Sequence, residues 1–352
     1  MAPSPTTPDL IARKEGRCGR LTFARPAALN ALSHEMALAI ETALDDWRDD
    51  ASVELVLIDA QGERAFCAGG DIAAMYHAGR AGDHAVARAF WADEYRMNAK
   101  IAEFPKPIVA FMQGFVMGGG VGVGGHASHR IVGDSTQVAM PESGIGLIPD
   151  VGGTLLLARA RGFLGEYLGI TGARMAATDA IYTGFADTYL PEATWDALKA
   201  ELVATADLGR IAAAARHVAT HAAPLASLRD QIDAAFSAAT LGEIVGRLTA
   251  SGNDFASDTL KMIGRNSPLS MAATLALVRM TRAIPTIRAA LNHEYRFTWR
   301  ASEQGDFLEG VRAQIIDKDR RPAWRHTLQT LRPEDVAQML EPLGPEAAIW
   351  ED

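Results

Sequence analysis

Cysteine is almost missing from this chain: there are 2 in 352 residues, Cys18 and Cys67. That excludes a disulfide framework, and without C-x-x-C spacing it excludes a thiol redox or cysteine-metal motif; both residues read as small buried hydrophobes in a reducing compartment. Basic residues are also short. Lys+Arg 34 against Asp+Glu 43 leaves a formal net charge of -9, which argues against non-specific attraction to nucleic acid or to an anionic membrane. No run reaches the about 18 apolar residues of a membrane span. There is no Gly/Ser linker, internal repeat or low-complexity tract, and no G-x-S-x-G elbow of an α/β serine hydrolase. The opening MAPSPTTPDLIARKEG has prolines but no apolar stretch of a secretory signal, so residues 1–12 are expected to be a flexible tail and the protein cytoplasmic. What remains, 48% hydrophobic and 22% charged, is enough for a sizeable core.

The first half alternates strand and helix signals. GRLTFARP reads as a strand, Ser33 as the cap of a helix whose Met36, Ile40, Leu44 and Trp47 share one face, and VELVLIDAQG as the next strand. AFCAGGDI is a short strand running into a Gly turn; AVARAFWADEYRMNAKIAEF is helical, PIVAFMQG is a strand, and MGGGVGVGGHASHRIVGDS repeats the order strand, Gly turn, helix, strand. This alternation predicts βαβ units with largely parallel strands. From about residue 157 the strand signals fade and Ala, Leu and Arg recur at helical spacing, with Ser267 and Pro268 starting a helix and Pro285 interrupting the pattern.

Two Gly clusters, Ala68-Gly69-Gly70-Asp71 and Gly118-Gly119-Gly120, each stand between a strand and a helix. Backbone N–H groups at such junctions lack internal partners, and glycine lets a ligand come close. Two converging donors would form an oxyanion hole, each worth about 3 to 4 kcal/mol in the transition state; the alternative is tight turns and close helix packing. The loop MPESGIGLIPDVGG sets Glu142 and Asp150 among Met140, Pro141, Ile145, Leu147, Ile148 and Pro149. Desolvation there favours one protonated and one ionised acid near neutral pH, a pair suited to acid/base or nucleophilic work. Asp150 before Val151-Gly152-Gly153-Thr154 also fits a plain helix N-cap, and Glu142 an exposed loop acid. His126 and His129 lack a third ligand and are read as ordinary histidines, so no metal is expected.

AFCAGGDI, GFVMGGGVG and AMPESGIGLIPDVGG, in that order and spacing, resemble the enoyl-CoA hydratase/isomerase (crotonase) superfamily, and MPE with PDVGG, together with EYRFTWRASEQGDFLEGVRAQIIDKDRRPAW, resembles its 3-hydroxyisobutyryl-CoA hydrolase branch. The resemblance runs from about residue 14 to 330. It implies an α/β fold with a crotonase-like ββα spiral core at 13–200 and a helical C-terminal region at 201–352 packed on that core. It places the oxyanion-hole amides on Gly70 and Gly119 and the catalytic acids on Glu142 and Asp150. The first of the two hydratase glutamates falls on Gly122, which has no side chain for that work. Substrate contacts are implied at Glu94, which would accept a hydrogen bond from a 3-hydroxyl, at the loop Ala27-Ala28-Leu29 under the adenine, and at Ala68 and Asp71; Arg25 would meet a phosphate. The implied activity is hydrolysis of a short hydroxyacyl-CoA thioester in valine catabolism, with coenzyme A as part of the substrate and no further cofactor. A homo-oligomer is left open. The nearest alternative is an enoyl-CoA hydratase or isomerase; a non-catalytic acyl-CoA binding protein is the alternative from another class, and the retained Glu142 and Asp150 argue against it.

Overall fold

The run LVLI at 55–58 has no polar alternation, the pattern of a parallel strand covered on both faces. In the computed structural model, which describes residues 7–216, 219 and 222–350, it is a central strand. The strands are β1 (Leu10–Glu15), β2 (Cys18–Phe23), β3 (Leu55–Ala60), β4 (Ala65–Cys67), β5 (Ile108–Met112), β6 (Phe115–Met117), β7 (His129–Val132), β8 (Gln137–Ala139), β9 (Met175–Ala176) and β10 (Thr188–Tyr189). One sheet has the order β1-β2-β3-β5-β7-β10 and the other β4-β6-β8-β9. From β3 to β8 successive strands go alternately to the two sheets, so each strand pair with its following helix is one turn of a ββα spiral. The expected α/β class and spiral core are what the chain forms. Pairing is parallel except at the β1-β2 hairpin and at β8-β9.

The chain divides into two compact units. The first holds the residues up to Asp71 with Arg96–Ala139 and Met175–Ala226, and contains both sheets. On one face of its larger sheet, Leu55, Leu57, Val109, Phe111 and Ile131 form a buried cluster with Trp195, Leu198 and Leu202; the two-residue spacing within each strand puts them on one side. The second unit holds Ile72–Tyr95, Met140–Arg174 and the residues from Ser227 onward, and is helical. Ser267 caps the helix Pro268–Ala283 by accepting the Ser270 N–H at 3.1 Å, and after Pro285 the helix Ile287–Gln304 begins. Its helices cross closely at glycine: a Cβ on Gly165 would stand 2.0 Å from the Leu157 carbonyl oxygen.

Two expectations are corrected. Residues 1–6 of the expected tail lie outside the described residues, but Leu10–Ala12 are strand, with Leu10 and Ala12 buried against the partner strand β2. The boundary at residue 200 is replaced by interleaved segments, because two excursions of the spiral, Ile72–Tyr95 and Met140–Arg174, cluster with the C-terminal helices. Two strands, β9 and β10, also lie beyond residue 157; at two residues each they carry no periodicity to read.

Gly120 shows why the second Gly cluster is partly about packing. A Cβ there would lie 2.1 Å from the Cys67 carbonyl oxygen, so the helix Gly119–Gly124 sits directly on β4. Gly120→Ala is expected to lower stability in urea by about 1–3 kcal/mol. Gly246→Ala, at an exposed helix position with nothing within 4 Å of the added atom, is expected to raise it by about 0.5–1 kcal/mol. Equal effects at the two positions would refute the packing account.

Candidate active site

In the first unit, β4 and β6 pair in parallel, Ala65 with Phe115 and Cys67 with Val116. Parallel pairing puts both carboxyl ends at the same edge, so the turns carrying Gly70 and Gly119 emerge side by side. Gly69 has φ +120° and Gly118 φ 49°, backbone that glycine adopts readily. Leu32 accepts the Asp71 N–H at 2.8 Å and donates to the Gly69 carbonyl at 2.9 Å; this bridge points the intervening Gly70 N–H the other way. Gly119 is the first residue of its helix, where the N–H has no intrahelical acceptor. The Ala27-Ala28-Leu29 loop joins this edge, since Ala68 donates its N–H to the Leu29 carbonyl at 3.1 Å. The N–H groups of Ala28 and Leu29 are already engaged by the carbonyls of Arg25 and Pro26. Arg25, expected at a phosphate, is held by Asp71 at 3.0 Å and Asp9 at 3.3 Å, so Asp71 is an ion-pair partner of Arg25.

The other predicted acids fall together in the second unit. Glu142 opens the 3-10 turn Glu142–Ile145, which is wedged between neighbours: Gly146 closes it at φ 72°, and a Cβ on Gly310 would lie 2.2 Å from the Ile145 carbonyl. Met140, Leu147 and Ile148 are buried as expected, whereas Pro141 is exposed. Glu94, on the helix Ala85–Ala102, is 2% exposed, Glu142 5% and Asp150 4%. Asp150 accepts the Tyr95 hydroxyl proton at 2.9 Å. Glu94 Oε1 and Glu142 Oε2 have no hydrogen-bond partner among the described residues. Asp150 does not cap the following helix with its side chain. That role belongs to Glu294, which takes the N–H groups of Gly152 at 2.8 Å and Thr154 at 3.0 Å and the Thr154 hydroxyl.

Among the described residues, none of these four carboxyl groups forms an ion pair. Burial first, then the charge of Asp150, holds Glu94 and Glu142 well above the usual carboxylate range. Burial pushes Asp150 up to about 7 against the opposing Tyr95 hydrogen bond, and Glu294 up to about 8. Asp150 and Glu294 are thereby brought to where a carboxyl can accept and return a proton near neutral pH.

The family model for enoyl-CoA hydratase/isomerase matches residues 18–340. The chain belongs to the enoyl-CoA hydratase/isomerase family. Among its relatives, "3-hydroxyisobutyryl-CoA hydrolase, mitochondrial" of Gallus gallus is 36% identical over 346 residues, covering 96% of this chain and 89% of the relative. Among solved structures, an enoyl-CoA hydratase from Rhodobacter sphaeroides 2.4.1 is 55% identical with TM-score 0.90, covering 96% of this chain and 98% of its own. A carnitinyl-CoA dehydratase from Mycobacterium thermoresistibile is 41% identical with TM-score 0.93, covering 98% and 100%.

Sequence reasoning missed Tyr95 and Glu294 in this member of the hydratase/isomerase family. The signal for Glu294 was present: Ala290, Leu291, Phe297, Thr298 and Ala301 form the buried stripe of its helix, and Glu294 falls inside it. An acid at a core-facing position implies a buried donor set. For Tyr95, being next to Glu94 on a helix gave no such cue.

The raised values fix how stability varies with pH. A carboxyl whose folded-state value lies above its unfolded one contributes stability that is complete below the unfolded value and lost as pH rises through the folded one. For Asp150 the window runs from 3.8 to about 7. Asp150→Asn is therefore expected to melt about 2–4 °C above wild type at pH 8 and no higher at pH 4. A melting temperature below wild type at pH 8 would show that the ionised acid is not costly there.

Proposed function

We propose that this protein hydrolyses the thioester of a short hydroxyacyl-CoA, with 3-hydroxyisobutyryl-CoA as the leading substrate and valine breakdown as the setting. The observation that carries the reading is the Glu142 and Asp150 pair, buried and with no cation among the described residues, with Tyr95 on Asp150. The relative from Gallus gallus supports it by its name. The resemblance gives the thioester oxygen to the amides of Gly70 and Gly119, where charge develops as the carbonyl carbon becomes tetrahedral. Glu142, once ionised, either attacks that carbon, giving an anhydride that water then opens, or takes the proton of an attacking water. In both routes the C–S bond breaks, coenzyme A leaves as thiolate and then gains a proton, and Asp150 carries protons in the step. Glu94, with an unpartnered buried oxygen, accepts the substrate's 3-hydroxyl; a site built for that hydroxyl rejects analogues that lack it. No cofactor beyond the coenzyme A of the substrate enters this chemistry.

A hydratase reading has one specific observation in its favour, the 55% identity to the solved Rhodobacter sphaeroides enoyl-CoA hydratase. Against it stands Gly122, buried and without a side chain at the position of the first hydratase glutamate.

Incubation with 3-hydroxyisobutyryl-CoA and a thiol reagent is expected to show release of free coenzyme A, and Glu142→Gln and Asp150→Asn each to cut kcat by at least about 100-fold. Loss of crotonyl-CoA absorbance without thiol release would establish hydration instead. Gly119→Pro, which removes the N–H, is expected to abolish release; retained activity would place the oxyanion donors elsewhere.

A further inference from the structure

Val151 follows Asp150 directly and has φ 54°. A β-branched residue in the left-handed region is an outlier that persists only where its surroundings hold it. Gly152, next along, has φ 76°, so the chain reverses sharply just after the acid. The groups that hold this turn converge on one side chain. Glu294, 0% exposed, accepts the Gly152 N–H on Oε2 at 2.8 Å and the Thr154 N–H on Oε1 at 3.0 Å, and Oε1 also takes the Thr154 hydroxyl. Thr154 Oγ1 lies 3.2 Å from Thr281 Oγ1 as well. One turn further along the helix of Glu294, Thr298 Oγ1 lies 3.3 Å from the Tyr95 hydroxyl that donates to Asp150. The helix Ile287–Gln304 thus holds Asp150 twice, through the backbone behind it and through the tyrosine in front of it.

We propose that Glu294 is a positioning residue for thioester hydrolysis: by binding the donors of Gly152 and Thr154 it locks Val151 in the left-handed turn that delivers the Asp150 carboxyl to the Tyr95 hydroxyl. The claim rests on the hydrolase reading, in which Asp150 carries the proton. A cap serving stability alone would use the same three hydrogen bonds but would not couple them to turnover. Two features favour positioning. The carboxylate holds a strained turn as well as a helix end, and the strained residue is the immediate neighbour of the acid.

In Glu294→Gln one acceptor oxygen becomes an NH2 facing an N–H donor, and the turn is free to relax. The folded variant is expected to lose about 30-fold or more in kcat with KM within about threefold of wild type, since binding groups are untouched. Adding Val151→Gly, which takes positive φ without strain, is expected to recover at least about fivefold of that kcat. If Glu294→Gln does not fold, Thr154→Ala and Thr154→Ser serve in its place: the first removes one donor and is expected to lower kcat about three- to tenfold at constant KM, and the second keeps the hydroxyl and is expected to stay within about twofold of wild type. Undiminished kcat in folded Glu294→Gln or Thr154→Ala, or no rescue by Val151→Gly, would overturn the proposal while leaving the hydrolase reading in place. Absence of thioester cleavage by wild type would remove both.

Discussion

Four carboxyl groups of the second unit, Glu94, Glu142, Asp150 and Glu294, are taken out of water and meet no cation among the described residues. The rest of the site depends on that constraint. Two other buried acids are treated differently: Glu166 receives both arms of Arg282 at 2.7 and 2.9 Å, and Asp59 is met by Arg20 and Lys199. Those pairs keep their charge by compensation. In the uncompensated set, desolvation and mutual repulsion both oppose full ionisation, so protons stay on some members near neutral pH. An arginine among them would make the acids ordinary carboxylates and remove their value as proton carriers.

Such a set costs stability, and the chain answers with rigidity around it. The Glu142 turn is pinned by Gly146 and Gly310, where an added Cβ would clash with backbone. The turn after Asp150 is held by three donors on Glu294. Hydrogen bonds to the charged form partly offset burial for Asp150 and Glu294, whereas one oxygen each of Glu94 and Glu142 has no partner among the described residues. The orphaned atoms belong to the two acids assigned to substrate contact and attack, where an open acceptor is what the chemistry needs.

Much of the spiral was legible in the sequence because it is written in local signals. Ser33 and Ser267 cap the helices they were expected to cap, and the apolar runs of β3 and β5 are strands. The Gly-rich junctions sit between strand and helix as read. What stayed hidden is non-local. The edge strand β1 was masked by the prolines before it, and the short strands β9 and β10 exist through the partners they pair with. The interleaving of the two units comes from long-range contacts that no window of sequence contains. Glu142 and Asp150 stood out by their apolar setting, whereas Arg25 looked available for a phosphate because its carboxylate partners Asp9 and Asp71 lie 16 and 46 residues away in sequence.

Because the fold is shared across hydratases, dehydratases and hydrolases of this family, the backbone does not select the reaction; the acids do. Addition of water to a C=C bond needs the water held and a proton delivered to carbon, work that two opposed glutamates perform. The resemblance puts the first of those positions on Gly122, and no change of rotamer can supply a carboxylate from a glycine. Thioester hydrolysis makes a different demand: a proton must be taken from water or its equivalent and returned to a departing thiolate, both near neutral pH. An acid held near 7 by burial, as Asp150 is, is matched to giving and taking at that pH, and the Tyr95 hydroxyl donates to one of its oxygens. On the proposed hydrolase reading Asp150 does the proton work for which a hydratase would need a second glutamate, and Val151, its immediate neighbour, carries the conformational cost of a left-handed φ of 54°.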